Sequence, residues 1–326
     1  MIESFVLSIN VTFPFVALAT LGVIMRRIGF VDSNFVKRSN KILFYFGIPT
    51  TIFNHIHRAD LSYIFDLRFI LFNAIWLIFF FIATWFLAVR FMSKVDCISS
   101  FVNSAYRSSL SVVAPPLFVL LFYGVHNANL KAQSLLAVSI LLIISYATAA
   151  ILFAVQDVKE KQSDNGSVLK DIFMSILKNP IIWGVIAGIA FNLLGFRALP
   201  VAINTSLNNL ANIVMPLAMI CVGANLRFHG FDKKFKYVII SVVVKLFIMP
   251  ITAVFVAYLF GFRGNDLTII MILNALPMAV GAYVMQAELG SGDLYIGAST
   301  LMITMVLSAF TLTLFIFLFR LMGILV

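Results

Sequence analysis

Residues 266–287 read DLTIIMILNALPMAVGAYVMQA. After Asp266 no residue of this run carries a formal charge. Its apolar positions do not alternate as a barrel strand would require, and its length matches the roughly 20 residues a helix needs to cross hydrocarbon. Pro277 falls about 11 residues in, or about 16 Å at 1.5 Å per residue, close to the bilayer midplane. Proline lacks an N–H and clashes with the preceding turn, so the helix is expected to open there and free carbonyls and amides. Freed backbone at that depth is tolerated where it lines a cavity.

Outward from this stretch the chain repeats the pattern. Of 326 residues 62% are hydrophobic and 11% charged, and mean hydropathy is +1.06. Cutting at charge clusters gives ten candidate spans, roughly 4–25, 37–57, 69–89, 99–124, 132–156, 171–194, 202–226, 236–259, 266–287 and 294–319. The expected fold is therefore an all-α integral membrane protein with short connectors and no sizeable soluble domain. The net charge of +10 sits in those connectors, which speaks for topology and against nucleic acid as a partner. Connectors after spans one, three, five, seven and nine hold 14 Lys and Arg, against 6 on the other side. By the positive-inside rule both termini then face away from the cytoplasm, in a cytoplasmic (inner) membrane, and the polar stretch 157–171 is a cytoplasmic linker. The Met-Ile-Glu-Ser start has no basic n-region, so its apolar run is expected to stay in the protein.

A shift of 166 residues lays Pro14 on Pro180, Gly22 on Gly188 and Gly29-Phe30 on Gly195-Phe196. Shifts of 167 and of 161 or 162 lay Pro49 on Pro216 and Pro116 or Pro115 on Pro277. Residues 1–156 and 172–326 read as duplicates of five spans each. Because five is odd, the second copy enters the membrane from the opposite side, an inverted repeat as in secondary transporters. Broken spans four and nine, crossing near the midplane, would aim half-helix N-termini at one point and offer partial positive charge to an anion.

Polar residues gather at the breaks. Ser109 and Ser111 precede Pro115 and Pro116, Asn274 precedes Pro277, and Asn212 precedes Pro216. These eight are the candidate substrate-binding residues, with Pro49, Lys245 and Arg107 in supporting roles. Lys245 either pairs with carbonyls of a broken helix or serves the substrate. Arg107 lies opposite Thr268 at offset 161, which places it near the cytoplasmic mouth, where it snorkels or draws anions in. No Asp or Glu lies well inside a span, which weighs against a cation antiporter or proton pump. His55, His57, His126 and His229 lack ligand spacing, Cys97 and Cys221 read as free thiols, and no metal site or cofactor is expected. Without a cluster of acid, base or nucleophile at depth, an enzyme is not expected either.

The runs Asn40-Lys-Ile-Leu-Phe-Tyr-Phe-Gly-Ile-Pro49, Tyr106-Arg-Ser-Ser-Leu-Ser-Val-Val-Ala-Pro-Pro116, Met215-Pro-Leu-Ala-Met-Ile-Cys-Val-Gly-Ala-Asn-Leu226 and Lys245-Leu-Phe-Ile-Met-Pro250 resemble the auxin efflux carrier family. So does the closing stretch from Leu276-Pro277 to Gly297-Ala-Ser-Thr300 and the last helix. Bacterial members of that family include malonate and malate permeases. The resemblance implies ten helices in an inverted repeat, crossed helices four and nine, an elevator-type transport domain moving against a scaffold of helices one, two, six and seven, and a homodimer. Where many relatives carry Arg-x-Asn before the span-four break, this chain has Arg107-Ser108-Ser109. The expected function is a secondary transporter of a small organic anion, a mono- or dicarboxylate, with the coupling ion, sodium or proton, open. A passive channel or a receptor that no longer transports are the alternatives.

Overall fold

The computed structural model describes residues 2–59, 67–92, 95–111, 113–121, 128–160, 168–196, 198–226, 234–289 and 292–324, and every regular element among them is helical. Span one is α1 (Ile2–Arg27). Span two is α2 (Ser33–Ile42), a five-residue π-helical turn (Leu43–Gly47) and α3 (Ile48–His57). Span three is α4 (Leu67–Phe91). Span four is divided into α5 (Val95–Tyr106) and α6 (Ala114–Leu121), and span five is α7 (Ala128–Glu160). Span six is shorter than expected. Its first part is a separate helix α8 (Val168–Leu177), and α9 (Pro180–Leu193) starts afresh, because the Asn179 side chain caps the Ile181 amide and Pro180 occupies the first turn.

Span seven is α10 (Val201–Asn212) and α11 (Val214–Asn225), joined at Ile213. Span eight is α12 (Phe235–Val243), a second π turn (Val244–Ile248) and α13 (Met249–Leu259). Span nine is divided into α14 (Gly264–Ala275) and α15 (Val280–Leu289), and span ten is α16 (Leu294–Leu321). Among the described residues five stretches are long and apolar enough to cross a membrane: 67–91, 133–156, 201–225, 235–259 and 294–319. Large apolar side chains such as Phe79, Phe86, Trp183 and Phe255 point outward, the surface expected of a protein whose solvent is lipid.

Pro49 does not open span two. The helix widens instead: the Ile48 amide reaches back five residues to the Leu43 carbonyl, which absorbs the donor that proline lacks. Span eight uses the same device before Pro250, with the Met249 amide on the Val244 carbonyl. In both, a threonine two residues after the proline, Thr51 or Thr252, back-bonds to the carbonyl four residues earlier. Pro216 likewise leaves span seven helical on both sides of a single joint at Ile213.

Two helix pairings are the most extensive in the molecule, α1 with α11 and α3 with α9. Both depend on glycine. A β-carbon on Gly22 would stand 2.2 Å from the Ile220 carbonyl oxygen, and one on Gly188 would stand 2.9 Å from the Ile56 β-carbon and 3.4 Å from Phe53 Cα. Phe53 and Ile56 are the residues that a shift of 167 lays on Ile220 and Gly223. Gly223 in turn abuts the backbone of Ala19, and Gly184 that of Pro49. At the ends of α1 and α9, Gly29 and Gly195 both adopt φ 79°, and Phe30 and Phe196 donate their amides to Met25 and Phe191 in matching C-terminal caps.

Candidate functional site

The two breaks meet. At residues 107–111 and 113, and at 276–279, the backbone is not helical, and Ser108 forms an antiparallel bridge with Met278. The Ser109 amide donates to the Pro277 carbonyl at 2.9 Å, and the Ala279 amide to the Arg107 carbonyl at 3.2 Å. Thr304 on α16 accepts the Met278 amide through its hydroxyl at 3.2 Å. Backbone groups freed in one span are thus satisfied by the other, as burial in an apolar medium demands.

A lysine pins the crossing. The Lys245 side chain is fully buried in the second π turn, and its ammonium donates to Ser108 Oγ at 2.6 Å, Met249 Sδ at 3.2 Å and the Asn274 carbonyl at 3.3 Å. It thereby holds both breaks at once. Asn274 turns its side chain back on its own helix, donating to the Ile270 carbonyl at 2.8 Å. Ser109 is buried, and its hydroxyl has no partner among the described residues.

Arg107 is not at a mouth. Its side chain is 1% exposed, its guanidinium lies 4.5 Å from the centre of the Tyr146 ring, and it donates to Ser145 Oγ at 3.1 Å and Asn103 Oδ1 at 3.4 Å. The misplacement comes from the register of the repeat. Pro115 and Pro116 sit in the first turn of α6, after the break, whereas Pro277 sits inside its break before α15 begins. Aligning the prolines therefore slides the two spans apart. The helices stop after Tyr106 and Ala275, so the position matching Arg107 is Leu276 rather than Thr268.

Beside the crossing lies a cavity of about 640 Å³. Ser111 of the break and Ser139 of α7 form one wall. Thr51, Asn54 and His55 of α3, with Arg58 just past its end, form another, and Asn208, Asn212 and Met215 of α10 and α11 close it. Of the expected site residues, Ser111 and Asn212 line this space, and Pro216 follows directly on the lining residue Met215. Arg58 was not anticipated. It is exposed, it donates to Asn204 Oδ1 and, at 2.9 Å, to Asn208 Oδ1, and Asn54 reaches the same Asn208 oxygen at 3.4 Å. Ser139 Oγ donates to the His55 carbonyl at 3.4 Å. The pattern Asn54-His55-x-x-Arg58 puts all three on about one helical turn, a signal present in the sequence but set aside as a span end.

A larger hollow of about 1020 Å³ runs between α4 and α13. Its lining, from Leu71 and Phe79 to Val256 and Phe260, is almost wholly apolar apart from Arg68, so it suits acyl chains. Among the described residues no group of three His, Cys, Asp or Glu side chains could hold a metal ion.

Comparison with known proteins bears on this arrangement. The profile of a family described as "Membrane transport protein" matches residues 9–316. An "Uncharacterized transporter" of Methanothermobacter thermautotrophicus (strain ATCC 29096 / DSM 1053 / JCM 10044 / NBRC 100330 / Delta H) is 26% identical over 273 residues, 83% of this chain and 85% of that protein. Both point to transport rather than to an enzyme. With its motifs matched from near one end to near the other, the chain belongs to the auxin efflux carrier family of membrane transport proteins.

Proposed function

We propose that the protein is a secondary carrier that moves a small organic anion, a mono- or dicarboxylate of the malonate or malate kind, across the cytoplasmic membrane by alternating access. The observation that carries this reading is the cavity. Its described lining brings together a guanidinium, an imidazole, three side-chain amides and three hydroxyls, with no carboxylate. Such a set of donors recognises a carboxylate, whereas a cation would find no opposite charge there. In this reading the ligand rests against Ser111 and Asn212, with the Ser109 hydroxyl and the crossing at Pro277 beneath it. Arg107, Ser108, Ser109 and Lys245 are all at most 5% exposed, which favours a carrier over an open channel.

The architecture we infer is ten spans in two inverted repeats, 1–156 and 172–326, with both termini outside, 157–171 cytoplasmic and two copies forming a homodimer. The exchange of contacts supports it, since Gly22 meets the second half where Gly188 meets the matching residues of the first. With that orientation the cavity opens outward. An elevator movement would carry the crossed helices past the wall built by α3, α10 and α11. Trans-stimulated counterflow of labelled malonate in proteoliposomes tests the proposal; ohmic single-channel currents, or binding of malonate without any counterflow, would reject it.

A further inference from the structure

We propose that the Lys245 ammonium is a tethered cation that occupies, in the crossing itself, the place a free coupling cation would take, so that transport runs without sodium. The inference rests on the carrier reading for its consequence, but its geometry is independent of it. An ammonium has three hydrogens, and three acceptors meet it: the Ser108 hydroxyl from the span-four break, the Asn274 carbonyl from the end of α14, and the Met249 sulfur from its own helix. Two oxygens drawn from separate broken spans are what a monovalent ion would need to tie those spans together. The third ligand decides which cation. A thioether is a soft, weak partner for a hard alkali ion but accepts an N–H well enough, so the donor set suits an ammonium.

Charge leads to the same assignment. The helices packed on the π turn are α5, α12, α13, α14 and α16. Their only acids are Asp96 near the start of α5 and Asp266 in the first turn of α14, and Asp266 accepts a hydrogen bond from Gln133. Both positions lie two or more helical turns along the chain from the crossing, and the positive charge of Lys245 would repel sodium there.

The test uses the purified full chain, as wild type, Lys245→Ala and Lys245→Met, in chloride salts of sodium, methylammonium or choline at equal ionic strength. We expect the thermal midpoint of the wild type, and its malonate counterflow, to be the same in sodium and in choline. Lys245→Ala leaves a vacancy with its oxygens unpaired, so methylammonium should raise its midpoint by a few degrees in a saturable way. Lys245→Met refills the space with an apolar chain and should show no such rise. Sodium-specific stabilisation of the wild type would overturn the proposal, and so would a folded Lys245→Ala indifferent to methylammonium. Should Lys245→Ala fail to fold, the wild-type comparison alone still decides. Because the midpoint is read without transport, a failure of the carrier reading in counterflow leaves this result separately legible.

Discussion

Arg107 faces the Tyr146 ring and spends its donors on Ser145 and Asn103, whereas Arg58 stands exposed at the rim of the cavity with its donors on two asparagines. A buried charge and an exposed one respond differently to salt, which separates their roles. Arg107→Lys keeps the charge but loses the planar stack and fork, and should lower unfolding stability by about 1–2 kcal/mol. Arg107→Ala leaves the Ser145 and Asn103 acceptors unpaired and should lower it by about 2–3 kcal/mol, equally at low and high salt, because the site is not reached by screening ions. A loss that shrinks as salt is added would return Arg107 to the surface. Arg58→Gln is expected to weaken malonate binding about tenfold at low ionic strength, with the gap closing as salt rises, read from ligand-induced shifts in the thermal midpoint. Ser111→Ala and Asn212→Ala should each weaken the same binding by about 1 kcal/mol without that salt dependence. What the sequence hid at this scale was depth. Proline marks where a donor is missing, not where the chain leaves the helix, and an error of a few residues moves a side chain from interior to mouth.

Among the elements, the prolines show why a shared residue did not give a shared structure. Pro49 and Pro250 follow π turns, Pro180 opens α9, Pro115 and Pro116 lie in the first turn of α6, and Pro277 lies in the unwound segment of span nine. Which outcome follows depends on what is available to take the freed carbonyl: a neighbouring turn in spans two and eight, a crossing strand of backbone in span nine. That partner comes from tertiary structure, so it cannot be read from the residue alone. Helix existence was legible because apolar length is a local property, whereas what Gly22 and Gly188 pack against was not, because the partner helix decides how closely the backbones approach. The two glycine seams are not equally tight, however. Gly22→Ala drives a methyl into the Ile220 backbone and should destabilise the protein by about 1–3 kcal/mol. Gly188→Ala meets the Ile56 β-carbon at 2.9 Å, an atom tied to its backbone but not part of it, and gains helix propensity of up to about 1 kcal/mol, so it should destabilise as well but by less than Gly22→Ala. Equal losses in a denaturation series would show that the seams tolerate a methyl alike.

At the scale of the whole molecule, one side of the crossing is hollow and the other is sealed. On the sealed side α2, α11 and α15 pack together, and Tyr283 of α15 accepts from Asn225 Nδ2 at 2.6 Å. If alternating access is the mechanism, this seam must part when the cavity closes, and the tyrosine hydroxyl is a contact that holds it shut. Tyr283→Phe removes that hydrogen bond while keeping the ring, and a difference of about 1–1.5 kcal/mol between the two states changes the population of the opened one by about five- to tenfold. Cys221 reports it directly. It is fully buried on α11 one turn before Asn225, so a maleimide reaches it only when the seam opens. Cys97, equally buried on α5, serves as the control for general unfolding. In intact cells a membrane-permeant maleimide should label Cys221 about five- to tenfold faster in Tyr283→Phe than in the wild type, with Cys97 unchanged, by mass spectrometry of the recovered protein. An impermeant reagent added outside should leave Cys221 unmodified in both, because with both termini outside the sealed face is the cytoplasmic one. Equal labelling of Cys221 in the two proteins would mean that the tyrosine does not hold the seam. Labelling by the impermeant reagent would invert the orientation and make the cavity at Arg58 the cytoplasmic vestibule.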